Sequence, residues 1–153
     1  MRFTKLIPAL LILGFFVITG CGPDPEPEPT EEELQLEKLV GTWKLGSGSV
    51  TLNGDDRATD WAGFEVIFTD SKGYSTNEFS FDENVWPSVG TWAFQDTTGS
   101  GLNVLERSDG IILNINSISA TSLTLNFNYV ISRIYKNGRV ESIEGNWIFS
   151  LSK

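Results

Sequence analysis

From Lys38 to Lys153 apolar and polar residues alternate with period two. Leu123-Thr124-Leu125-Asn126-Phe127-Asn128-Tyr129 alternates without a break, and Ile143 to Leu151 does so with one exception at Ile148. Phe64 to Thr69 and Ile111 to Asn116 repeat the pattern less cleanly. Period two puts successive side chains on opposite faces of a strand, one face buried and one wet. Turn residues punctuate the runs at Asn53-Gly54-Asp55, Ser71-Lys72-Gly73, Thr98 to Gly101, Asp109-Gly110 and Asn137-Gly138. The pattern predicts strands near 41–46, 49–53, 63–69, 74–81, 89–95, 101–107, 110–117, 122–135 and 139–152. If the first two are one bent strand, the count is eight. Short turns between consecutive strands make an antiparallel meander. A long meander is rid of its unpaired edges by closing on itself. The expected fold is all-β, an eight-stranded antiparallel up-and-down barrel, with a β-sandwich as the alternative.

Two local features refine this picture. Thr30-Glu31-Glu32-Glu33 has the form of a capping box, and Leu34, Leu36 and Leu39 follow, so a short helical turn is expected before the first strand. In the last hairpin the apolar positions are odd on both strands. A two-residue turn at Asn137-Gly138 would set odd against even and slip the buried faces. A three-residue loop, Lys136-Asn137-Gly138, instead pairs 135 with 139, and then Phe127 meets Trp147 and Leu125 meets Phe149. The face argument therefore predicts a type I turn with Gly138 left-handed in a G1 bulge.

The N-terminus is of another kind. Arg2 and Lys5 precede an almost wholly apolar run, Leu6 to Ile18, which has the layout of a secretory signal and is shorter than the roughly 20 residues of a spanning helix. It ends in Ile18-Thr19-Gly20-Cys21, which resembles the bacterial lipobox. That resemblance implies cleavage before Cys21, acylation of its thiol and a membrane anchor of two or three chains. Cys21 is the only cysteine, so an internal disulfide is excluded. The Pro- and acid-rich stretch that follows, Gly22 to Glu33, cannot bury apolar area and reads as an extended, self-repelling spacer. Its early acids also resemble the export tags of surface lipoproteins in the Bacteroidetes group. The expected division is a signal peptide over 1–20, lipidated cysteine and linker over 21–33, and a barrel domain over 34–153.

Charge and composition narrow the chemistry. Of 11 Lys and Arg, two precede the expected cut, while all 20 Asp and Glu follow it, leaving a net charge of −11. No basic stripe exists for a phosphate backbone, so nucleic acid is not an expected partner. There is no His, which removes the usual nucleophile triads and any Cys/His metal centre. Asp55, Asp56 and Asp60 could gather round a hard cation, but a solvated turn is the simpler reading. Glu83, Glu141 and Glu144 carry no sign of the burial and partner that acid–base work needs. No enzyme activity, cofactor or metal is expected.

Leu39-Val40-Gly41-Thr42-Trp43-Lys44-Leu45 opens the first expected strand, Gly90-Thr91-Trp92 repeats the phrase, and Gly145-Asn146-Trp147 varies it. This resembles the Gly-x-Trp signature of the lipocalin superfamily, and the order of phrases over residues 38–152 is similar to lipocalin-like domains on lipoproteins of Bacteroidetes. The resemblance implies that Trp43 plugs one end of an eight-stranded barrel, that Gly41 lets the backbone pass close by, and that a late arginine, Arg133 or Arg139, stacks on that Trp. Trp92 and Trp147 are read as wall or plug.

Three functions follow as expectations. The first is a membrane-anchored carrier whose cavity, lined by Phe64, Val66, Phe68 and Phe127, holds a small apolar or amphipathic ligand. The second is an interaction module that contacts a glycan or an envelope protein through exposed Trp61 and Trp86. The third is a structural envelope lipoprotein with a filled barrel. The expected location is the outer membrane, on its periplasmic face or at the cell surface.

Overall fold

The structure is a computed structural model that describes residues 27–77, 85–130, 134–136, 139–141 and 143–153. A helix, α1 (Glu31–Leu39), leads into β1 (Gly41–Leu52). There follow β2 (Asp55–Asp56), β3 (Glu65–Phe68), β4 (Gly73–Thr76), β5 (Val89–Phe94), β6 (Val104–Arg107), β7 (Ile112–Ile118) and β8 (Ser122–Tyr129). A small hairpin of β9 (Ile134–Lys136) and β10 (Arg139–Glu141) precedes the last strand, β11 (Gly145–Ser152). Among the described residues, β1, β3, β4, β5, β6, β7, β8 and β11 form a closed antiparallel ring. The pairing of β11 with β1 closes it and sets the sandwich alternative aside. β2 lies outside the ring, paired to the end of β1.

The helix forms where the capping box says it should. Thr30 Oγ1 accepts from the Glu33 N–H at 3.2 Å, and Glu33 Oε2 accepts from the Thr30 N–H at 2.7 Å. The Thr30 N–H and then the Thr30 hydroxyl, which donates to Oε2 at 3.0 Å, hold the pKa of the Glu33 carboxyl below its ordinary value. Glu31 to Glu33, expected as linker, are the first turn of this helix. Leu39 on its last turn is fully buried, and Gln35 donates to the Leu102 carbonyl at 3.3 Å and to Asn103 Oδ1 at 3.1 Å. These contacts seat α1 against the short 3-10 turn over Gly99–Asn103, between β5 and β6.

β1 is one bent strand. It pairs Gly41 to Lys44 with β3 and Ser49 to Leu52 with β11, and the register with β11 shifts between Lys44 and Ser49. The shift changes the parity of the inward side chains: Trp43 and Leu45 are buried before it, Val50 and Leu52 after it. Elsewhere the inward set follows the alternation: Val66 and Phe68; Trp92 and Phe94; Leu113 and Ile115; Leu123, Leu125, Phe127 and Tyr129; Trp147, Phe149 and Leu151. Each large apolar side chain buried in this way contributes about 1.5–3 kcal/mol.

The last hairpin obeys both sequence signals at once. Phe127 lies opposite Trp147 and Leu125 opposite Phe149, as the face argument requires. Yet Lys136 pairs with Arg139, not 135 with 139, so the expected three-residue loop is corrected to two. The one-residue difference is taken up between the pairs Tyr129–Gly145 and Ile134–Glu141, where one strand holds one residue more than the other. Asn137 and Gly138 themselves lie outside the described residues, as does Cys21.

Because the strands run antiparallel, the barrel has two distinct ends. α1, the β3–β4 and β7–β8 turns and Lys153 lie at one, the helix end. The β6–β7 turn, the β9–β10 hairpin and the segments holding Trp61 and Trp86 lie at the other, the far end.

Candidate functional site

The three Gly-x-Trp phrases do two different jobs. At the helix end Gly41 has φ +131, and Trp43 Nε1 donates to the carbonyl of Leu39 at 2.7 Å. At the far end Gly145 has φ +138, and Trp147 Nε1 donates to the carbonyl of Ile143 at 2.9 Å. In both, the residue four before the indole is buried, and the glycine holds a φ that L side chains rarely adopt. The chain thus carries one device twice, a plug at each end of the barrel. Trp92 belongs to the wall instead: its Nε1 donates to the carbonyl of Gly73 at 3.2 Å across the sheet, and its ring meets Phe94 edge-on at 5.1 Å.

Among the described residues, the basic group over Trp43 is a lysine. Lys153 Nζ sits 4.4 Å from the ring and donates to the carbonyls of Lys38 at 3.0 Å and Val40 at 2.7 Å. It thereby also caps the carbonyl end of α1, where a cation is favoured. Arg139 is on β10 at the far end, away from Trp43, so that candidate is corrected, whereas Arg133 lies outside the described residues.

Phe64, Val66, Phe68 and Phe127 all point inward and are buried, as expected. Among the described residues Phe64 borders a surface cleft beside the β1 bend, while Val66, Phe68 and Phe127 line none of the clefts there. The space among Phe64 and Phe127 is occupied by Trp61, Trp86 and Phe149. Trp61 packs edge-on against Phe149 at 5.0 Å and Phe64 at 5.3 Å, and Phe127 stacks on Phe149 at 5.8 Å. Trp86 meets Phe64 at 5.7 Å and Phe127 and Phe149 at 5.9 Å each. Trp61 and Trp86 are therefore not surface residues: they are 0% and 3% exposed, and the expectation that both are exposed contacts is corrected. Both sit on irregular segments that turn inward over the bore, because an aromatic ring gains more from burial among other rings than from water. Two surface clefts, of about 320 Å³ between the β1 bend and Ala62, and about 440 Å³ between α1 and the β7–β8 turn, do not reach Val66, Phe68 or Phe127.

The charged group inside the barrel is Arg107, which reading by motif missed. It follows Leu105 on β6 at the inward parity, and its side chain has no exposed surface. Strand alternation alone would have flagged it, with Asp109 two residues on. Its Nε donates to Asp109 Oδ1 at 3.1 Å, its second terminal nitrogen to Asp109 Oδ2, and Nη1 to the carbonyl of Val85 at 2.8 Å. The guanidinium lies 5.0 Å from the Trp86 ring and 5.6 Å from the Tyr74 ring. Burial pushes the Tyr74 phenol above its ordinary value, with the charge on Arg107 pulling the other way. Trp86 Nε1 is buried and has no acceptor among the described residues. Arg107, Asp109, Tyr74 and Trp86 together make an ion-paired, ring-lined site at the far end of the barrel.

The acidic candidates do not converge. Asp55 and Asp56 are exposed on β2, and Asp60 pairs with Arg57 at 2.6 Å. No group of three or more potential metal-ligating residues occurs among the described residues.

No protein-family model matches the chain, and neither a curated protein nor a solved structure matches it.

Proposed function

We propose that this is a lipid-anchored, non-enzymatic envelope protein whose barrel binds a small amphipathic ligand at the end remote from its tether. Cys21 carries the acyl chains, residues 22–30 form the spacer, and the outer membrane is the anchoring surface. The observation that supports ligand binding is the far-end site. A buried guanidinium beside two aromatic rings, near an indole N–H without an acceptor among the described residues, suits a molecule with an apolar body and a polar head. Buried polar groups are costly unless met. Among the described residues the helix end has no such site; Trp43, Leu39 and Lys153 pack together there.

Native mass spectrometry of the mature chain, after incubation with lipid and glycan extracts of its own envelope, tests the reading. A discrete retained mass that is lost on unfolding supports it; an apo mass under every condition refutes it. Cys21→Ala tests the anchor separately: the variant should leave the membrane fraction and lose label from an alkyne fatty acid. Equal membrane retention of variant and wild type would refute the anchor.

A structural role without ligand is the second reading, and the packing of Trp61, Trp86 and Phe149 into the bore favours it. The interaction-module reading loses its motive with the burial of Trp61 and Trp86.

A further inference from the structure

Trp86, like Trp61, differs from the strand-borne rings in the bore. Phe127 and Phe149 are carried inward by strand alternation, whereas Trp86 lies outside any strand, before β5, and enters as a side chain of a connecting segment. Its ring meets Phe64, Tyr74, Phe127 and Phe149 at 5.7–5.9 Å and faces the guanidinium of Arg107. It also brings in an N–H that no described residue accepts. A ring without that donor, or with an acceptor of its own, would fit the same walls at lower cost.

The residue next to it supplies the other half of the argument. Arg107 Nη1 donates to the carbonyl of Val85, adjacent to Trp86 in the chain. If the indole withdraws, the chain it is attached to takes that carbonyl with it. Two needs then arise together: a ring-sized space among Phe64, Phe127 and Phe149, and a cationic N–H at its margin without a partner. The Asp109 carboxylate, which engages Arg107 through both oxygens, shows which chemistry that guanidinium accepts.

Resting on the ligand-binding reading, we propose that Trp86 is the barrel's own stand-in for a ligand, and that the molecule displacing it is a small aromatic carboxylate, its ring against Phe64, Phe127 and Phe149 and its carboxylate on Arg107. Arg107 is then the specificity-determining residue. Trp86 competes with the ligand, so the measured affinity is the intrinsic one reduced by the fraction of molecules with the indole withdrawn.

Ligand-observed NMR titration of the mature chain with 1-naphthylacetate, whose ring carries no N–H, and its neutral isostere 1-naphthylacetamide tests this. The wild type should bind the acid at least tenfold more tightly than the amide. Trp86→Ala should tighten acid binding at least tenfold, because the competitor is gone. Arg107→Lys should reduce the acid-over-amide preference to threefold or less. Should that variant not fold, the acid-to-amide ratio in wild type and Trp86→Ala carries the test alone. No binding to the wild type, no gain in Trp86→Ala, or equal affinity for acid and amide would each overturn the proposal. The mass-spectrometric experiment separates two failures. If a mass from the envelope extract is retained while 1-naphthylacetate fails, this inference falls and the ligand-binding reading stands; if neither binds, both fall.

Discussion

Gly145→Ala should be far more damaging than its place near the surface suggests, and the structure says by how much. Gly145 has φ +138, a conformation that costs an L residue about 1–3 kcal/mol. A Cβ there would also collide with the side-chain amide of Asn53. That amide makes two bonds, from Nδ2 to the Glu144 carbonyl at 3.3 Å and from the Asn146 N–H to Oδ1 at 2.9 Å. Losing both costs about 1–3 kcal/mol more. The sum, about 2–6 kcal/mol, is a large share of the 5–15 kcal/mol that ordinarily holds a domain together. The companion variant is Asn53→Gly, which removes the colliding amide and suits the left-handed backbone there, φ +53. In that background Gly145→Ala should cost only the backbone strain. The double-mutant cycle, read from urea unfolding of the four mature chains, should therefore show a coupling of about 1–3 kcal/mol. Gly54→Ala is the control: φ is +91, but a Cβ would meet nothing within 4 Å, so only strain is expected. A coupling below about 0.5 kcal/mol, or a Gly145→Ala no worse than Gly54→Ala, would refute the view that Asn53 and Gly145 together seat the far-end plug.

Other consequences are as direct. Lys153→Met removes two bonds to the end of α1 and the cation over Trp43; it should cost about 1–2 kcal/mol and raise amide exchange in α1, and unchanged exchange would count against the latch. Tyr74 is held above its ordinary value of 10.0 by burial, so its contribution is complete below that pH and is lost as pH climbs through the raised value. Wild type should accordingly lose stability more steeply than Tyr74→Phe in the alkaline range, and parallel pH profiles would refute this. Glu33 is the opposite case, with a carboxyl held below 4.5 by the capping box. Its contribution is present above that pH and lost on acidification, so the gap in unfolding midpoint between wild type and Glu33→Ala should narrow as pH falls.

Period-two patterning was enough to read a closed antiparallel meander, because inward and outward side chains must alternate wherever one face is dry. The capping box placed α1, since its bonds are made by residues three apart and need nothing distant. Parity likewise sets odd positions of β8 against odd positions of β11, as Phe127 opposite Trp147 shows. Parity also led to error where the chain changes it: the one-residue shift beyond Tyr129 let a two-residue turn coexist with the expected faces.

What only the tertiary structure decided lies outside the strands or depends on which residue meets which. Trp61 and Trp86 sit in polar, irregular stretches, and no local rule says that such a ring turns inward; their burial follows from the rings that Phe64, β8 and β11 have already gathered there. The equivalence of Gly41-Thr42-Trp43 and Gly145-Asn146-Trp147, and the exclusion of Gly90-Thr91-Trp92, became visible only in the backbone angles and indole partners. Lys153 over Trp43 joins residues 110 apart, a contact set by ring closure and by no spacing in the sequence. Arg107 marks the boundary: its inward parity was legible, but its guanidinium became part of a site only when closure of the barrel set it beside Trp86 and Tyr74.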